Sequence, residues 1–201
     1  LLGFVPRTSG TANTAFMNWN NKIYALHEGD MPYELNINYK NYNISTVKRL
    51  NYNSVFSTTA HPIANEKKDH LYLYGYNNYD FNNGNFIFNV FDKKMNLLNQ
   101  KNISLINNGM IHDVGYINNY MIIPDMPLKY DINRIFKEKL PIYFDKEKGE
   151  TRFGVFNIKK ETVKWYNFKD NFFIFHFAKV RKTSHKFIIY ACVMEELFVE
   201  D

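Results

Sequence analysis

Residues 109–128 read "GMIHDVGYINNYMIIPDMPL", and the parsing of this stretch decides the fold. Short apolar runs flank Asn118-Asn119, with Ile117 before the pair and Tyr120 after it, which predicts strand, two-residue turn, strand. His112 lies among Met110, Ile111 and Val114, where the first strand is expected to begin. An imidazole buried there with no partner costs about 1–3 kcal/mol. A core carbonyl or a metal can supply that partner, and these residues alone do not choose.

The same device recurs on both sides. "NTAFMNWNNKIYALHEG" (13–29) reads as a hairpin around Asn20-Asn21. Residues 70–105 read as strand, loop, strand, a charged turn at Asp92-Lys93-Lys94, and strand. Further hairpins are predicted in "GETRFGVFNIKKETVKWYNF" (149–168) and "NFFIFHFAKVRKTSHKFIIYACVM" (171–194). One helix is expected, near 131–140, where Ile132, Ile135, Phe136 and Leu140 fall at helical spacing and Pro141 stops it. Short strands with a turn every 8–12 residues predict an all-β sandwich, barrel or propeller.

Composition agrees and narrows the function. Eighteen phenylalanines and fifteen tyrosines favour strands. The net charge of +5 is spread along the chain, so no nucleic-acid partner is expected. Cys192 is the only cysteine, which excludes an intrachain disulfide and a cysteine-based zinc site and fits an intracellular setting. The apolar stretch "FFIFHFA" (172–178) is too short to span a bilayer, and "LLGFVPRTSG" (1–10) lacks the pattern of a signal peptide. That start reads as if cut from a longer chain. The 28 asparagines are expected to fill turns and loops.

Six histidines divide into two groups. His70 and His185 sit in charged turns and are expected to be exposed, and His27 stands at a packing position. His61, His112 and His176 are apolar-flanked and fall 51 and 64 residues apart. A four-stranded propeller blade takes about 40–50 residues, more with insertions. One histidine per blade, each at an inner strand, would bring three imidazoles to one metal.

Five stretches carry a resemblance: "GTANTAFMNWNNKIYALHEGDMPYEL" (10–35), "TTAHP" (58–62), "IHDVGYINNYMIIPDMPL" (111–128), "LPIYFDKEKGETRFGVF" (140–156) and "WYNFKDNFFIFHF" (165–177). In this order they resemble the carotenoid cleavage oxygenase family, from about Thr11 to about Met194. The resemblance implies a seven-bladed β-propeller with non-haem Fe(II) held by four histidines. Residues 1–201 would be an incomplete propeller domain of about three to four blades. His61, His112 and His176 match three iron ligands, and Glu28 of "LHEGDMPYEL" matches a carboxylate that accepts a ligand imidazole's N–H. Residues 24–28 would then form an inner strand, and Glu34→Gln would do little to iron affinity or activity. The fourth histidine and the other glutamates of the family would lie beyond Asp201. After His176 the family usually has Asn and an acidic residue, where this chain has "FAKVRKTSHK", so the local shape of the cavity departs from the family's.

The implied reaction is dioxygenase cleavage of a conjugated double bond in a carotenoid or apocarotenoid by O₂, in cytoplasm or plastid. The family's counterpart of 131–140 contributes to an apolar membrane-facing patch, which leaves peripheral membrane association open beside the preferred reading of a plain surface helix. Two competitors stand against the enzyme: a catalytically inactive propeller fragment serving as an interaction scaffold, and a three-histidine zinc hydrolase, against which the motif order argues.

Overall fold

The computed structural model describes residues 10–52, 58–76, 84–107 and 109–197; residues 1–9, read against a signal peptide, and most of the loop expected after Tyr76 lie outside them. The described residues form sixteen strands and two 3₁₀ turns. The chain divides into two compact units, Leu1–Gly75 with Ile87–Gln100, and Tyr76–Phe86 with Lys101–Asp201.

The first unit opens with β1 (Ala15–Trp19), β2 (Lys22–Leu26), β3 (Tyr33–Asn38) and β4 (Asn43–Arg49), an antiparallel meander paired in chain order. Asn20 and Asn21 form the expected two-residue turn, with φ of 51° and 61°, and Trp19 pairs with Lys22 across it. The next sheet is β5 (Ile63–Asn65), β6 (His70–Tyr76), β7 (Asn85–Phe91) and β8 (Leu97–Ser104), again in chain order. Leu71 to Gly75 of β6 are all buried, so this strand shows an unbroken apolar run instead of alternation. Leu26, Leu73 and Phe91 anchor the core of this unit.

One correction falls in the first unit. Residues 24–28 do not form an inner strand: β2 stops at Leu26 and lies second in its sheet, and Glu28 is joined instead to Thr58 by an isolated bridge. Glu34 has a structural place in the same unit. It is buried and ion-paired to Lys22 at 2.7 Å, with Lys48 at 3.7 Å.

The second unit contains β9 (Gly115–Ile117), β10 (Tyr120–Asp125), β11 (Leu128–Tyr130), β12 (Ile142–Phe144), β13 (Arg152–Asn157), β14 (Thr162–Asn167), β15 (Phe177–Lys182) and β16 (Phe187–Ala191). Strands β9, β10, β13 and β14 make one antiparallel sheet in that order, β11 and β12 pair as an insertion, and β15 and β16 form a hairpin. Asn118 turns β9 into β10 at φ 55°. The expected helix near 131–140 is a 3₁₀ turn, Ile132–Lys137. Its ends are tied by Asp131 N–H to Pro141 C=O at 2.8 Å, and Glu138 at φ 55° ends it, leaving no room for α-helical turns.

Buried carboxylates bind each unit together. Asp30 accepts from Met31 N at 2.7 Å, Tyr33 OH at 2.8 Å and Arg49 Nε at 2.9 Å, and also contacts Gly10 N. Burial pushes its carboxyl up, but the bonds from Arg49, Met31, Tyr33 and Gly10 outweigh that and hold it below the ordinary range. Asp125, wholly buried, accepts from Ile106 N (2.8 Å), Asn107 N and Nδ2 (3.0 Å each) and Arg152 Nε (2.8 Å).

Two outcomes are expected in urea unfolding. Asp30→Asn lowers stability by about 2 kcal/mol near neutrality. A depressed folded pKa gives stability that is complete above the unfolded value of about 4 and drains as pH falls through the folded one, so the gap to wild type narrows in acid; a gap that widens contradicts the assignment. Asp125→Ala costs about 3–5 kcal/mol because it strands Arg152. Glu161→Ala, which removes an exposed partner 3.8 Å from Lys101, costs under about 1 kcal/mol. Equal losses would refute the ranking.

Candidate metal centre

The three expected ligands occupy equivalent places in the chain. His61 lies two residues ahead of β5, His112 three ahead of β9 and His176 immediately ahead of β15. Each of these strands stands first in its sheet or hairpin. None of the three histidines is in a strand, although His112 was expected to begin one. Regular pairing therefore does not place these imidazoles, and the segments carrying them are held by other means.

In the second unit, the segment leading to His112 is anchored at two points. Ile106 and Asn107 are bonded to Asp125, and Met110 N–H reaches Leu128 C=O at 2.7 Å. Gly109 lies so close to that backbone that a Cβ would meet Met126 O at 2.5 Å and Leu128 O at 2.9 Å. Ile111 and Val114 are buried on either side, leaving the imidazole half-buried between them. His176 follows Phe173 and Ile174, both buried, with Phe173 and Met194 exchanging backbone hydrogen bonds at 2.9 Å.

These anchors bring His112 and His176 together, with ring centroids 4.6 Å apart at 81°. Phe175 meets His112 edge-on at 5.8 Å and supplies an apolar flank. Asp113, adjacent to His112, stands 3.9 Å from His176 Nδ1. The sequence reading gave this aspartate no role, and its only signal there was its place beside a histidine.

His61 belongs to the first unit. Ala60 beside it is buried, its own N–H donates to Thr59 Oγ1 at 2.8 Å, and Thr58 N–H donates to Asp30 C=O at 3.0 Å. The bridge between Glu28 and Thr58 brings the Glu28 backbone to this same segment. The remaining histidines stand apart from this chemistry. His27 Nδ1 lies 3.3 Å from Thr14 Oγ1, His185 is exposed as expected, and His70 is half-buried against Tyr72, not exposed.

The donor chemistry fits a ferrous ion. Neutral imidazoles bind Fe(II) without cancelling its charge, and nearby carboxylates can orient imidazoles without entering the ligand set.

A family model described as retinal pigment epithelial membrane protein matches residues 3–201. Carotenoid 9,10(9',10')-cleavage dioxygenase 1 of Pisum sativum is 28% identical over 193 residues, covering 92% of this chain and 34% of that one. A 9-cis-epoxycarotenoid dioxygenase of Arabidopsis thaliana, a chloroplastic protein, is 27% identical over 172 residues, 83% of this chain and 29% of the relative. The chain thus spans about a third of the length of these relatives. Cobalt-substituted Synechocystis apocarotenoid oxygenase superposes with a TM-score of 0.78 at 19% identity, over 98% of this chain and 43% of the other. Lignostilbene dioxygenase of Pseudomonas brassicacearum gives 0.74 at 18% identity, over 93% and 39%. The fold is all-β and forms part of a β-propeller. With its model matched over nearly the whole chain, the family is shown: the chain belongs to the retinal pigment epithelial membrane protein family, the carotenoid cleavage oxygenases that its motifs resemble.

Proposed function

We propose that residues 1–201 are an incomplete propeller domain of a non-haem Fe(II)-dependent dioxygenase that cleaves a conjugated double bond of a carotenoid or apocarotenoid. The observation that carries this is the pairing of His112 and His176 at 4.6 Å, on two positions that match the ligand motifs of the family to which the chain belongs. His61 is the third ligand on this reading, supported by its motif "TAHP" and its place ahead of a first strand. Glu28 accepts a ligand imidazole's N–H, fixing its tautomer and raising its basicity.

Bound iron would supply a redox-active Lewis acid for the reaction with O₂. The chain's own residues hold and surround that centre. His61, His112 and His176 would hold it as neutral imidazoles, with the Phe175 ring edge-on to His112. The balance is one alkene and one O₂ in, two carbonyl compounds out, each carrying one oxygen atom. An intracellular setting, in cytoplasm or plastid, is supported by the single cysteine and by the chloroplastic relative.

Association with a membrane surface, from which a polyene would be drawn, is supported by one patch of the second unit. Ile135, Phe136 and Leu140 are exposed beside Arg134, Lys137 and Lys139. No helix among the described residues is long and apolar enough to cross a membrane.

Full-length protein supplied with Fe(II), O₂ and an apocarotenal is expected to release two carbonyl products, each labelled once from ¹⁸O₂. His112→Ala or His176→Ala abolishes this, Glu28→Gln lowers activity or iron affinity 10–100-fold, and His185→Ala changes neither. Stoichiometric zinc in place of iron, with no cleavage, would favour the hydrolase reading and overturn this one. In flotation with anionic vesicles, Phe136→Asp is expected to reduce binding; unchanged binding would remove the patch from the account.

A further inference from the structure

Asp113 joins two segments that are far apart in the chain. Its Oδ2 accepts the N–H of Phe177 at 3.0 Å, across 64 residues, and its Oδ1 accepts the N–H of Val114 at 2.8 Å. Asp113 is the neighbour of His112, and Phe177 is the neighbour of His176. We propose that Asp113 is a positioning residue for the metal centre: its carboxylate staples the segment ahead of β9 to the first residue of β15 and so sets the spacing of His112 and His176. This rests on the reading of those histidines as ligands.

The need for such a staple follows from the backbone. Neither histidine lies in a strand, so no ladder of hydrogen bonds fixes how far apart they stand. The Asp113 side chain is only 17% exposed, so its charge-assisted bond to the Phe177 N–H is poorly screened. The packing next to it permits the close approach. A Cβ on Gly115 would lie 2.6 Å from Val180 Cγ2 and 3.0 Å from Phe177 Cδ1, so glycine at the first position of β9 lets β15 come near enough for the bond. Metal sites tolerate little misplacement of their ligands, which turns a backbone contact into an affinity term.

The test is Co(II) titration of the full-length apoprotein, followed by the visible d–d bands, with thermal melts alongside. Asp113→Ala is expected to weaken Co(II) binding about 10–100-fold and to alter the bands. Asp113→Asn, whose amide oxygen can still accept from Phe177 N–H, should recover most of the affinity. In a His176→Ala background Asp113→Ala should add no further loss, while in a His61→Ala background it should add its whole effect. If Asp113→Ala does not fold, Asp113→Glu, which keeps the charge on a longer arm, is read the same way. Wild-type bands and affinity in the variants, or equal losses in both backgrounds, would overturn the staple alone. A wild type that binds no Co(II) would overturn the metal reading and the staple with it.

Discussion

The second unit depends on a carboxylate that water cannot reach. Asp125 sits at the end of β10 with its side chain wholly buried, and four donors converge on it from the 106–107 turn and from Arg152 of β13. A lone charge at such depth would be strongly destabilising, so the fold relies on these partners to offset its burial. Arg152 is fixed in turn, its guanidinium lying 3.9 Å over the Trp165 ring of β14. One ion thereby sets the sheet, the insertion's starting point and the turn that leads to His112.

The proposed ligands stand at points where the sheets are not regular. The strands are paired in hydrogen-bonded ladders, and His61, His112 and His176 stand in the few residues just ahead of them. There the backbone is held by other contacts: bonds to Asp125 and the close approach at Gly109 upstream of His112, Asp113 between His112 and Phe177, Thr59 beside His61. Carboxylates and a hydroxyl take the place of a ladder, so each imidazole can leave the plane of the sheet and still be placed reproducibly.

Much of this was legible in the sequence, because hairpins announce themselves locally. Asn20-Asn21 and Asn118 adopt the left-handed conformation that tight turns demand, and Asp92 caps its own turn by accepting from Lys94 and Asn96 N–H. What was not legible depends on partners distant in the chain. Asn89 and Asn107 look like two more turn asparagines, yet both are buried, one bonded to Gln100 and the other to Asp125 and the Glu150 carbonyl. The ion pair between Glu34 and Lys22 of the neighbouring strand depends likewise on a partner twelve residues away. Apolar spacing over 131–140 suggested an α-helix, but spacing cannot register that Asp131 and Pro141 are bonded to each other. Asp113 escaped notice for the same reason, since Phe177 is its partner only in three dimensions.

The central claim is that His61, His112 and His176 together hold iron. X-ray absorption at the iron edge of the loaded full-length protein tests it most directly. The account predicts a first shell of nitrogen and oxygen only, at about 2 Å, with outer-shell scattering from at least three imidazoles that falls by one ring in His61→Ala. A sulfur ligand, fewer than three imidazoles in the wild type, or an unchanged imidazole count in that variant would contradict it.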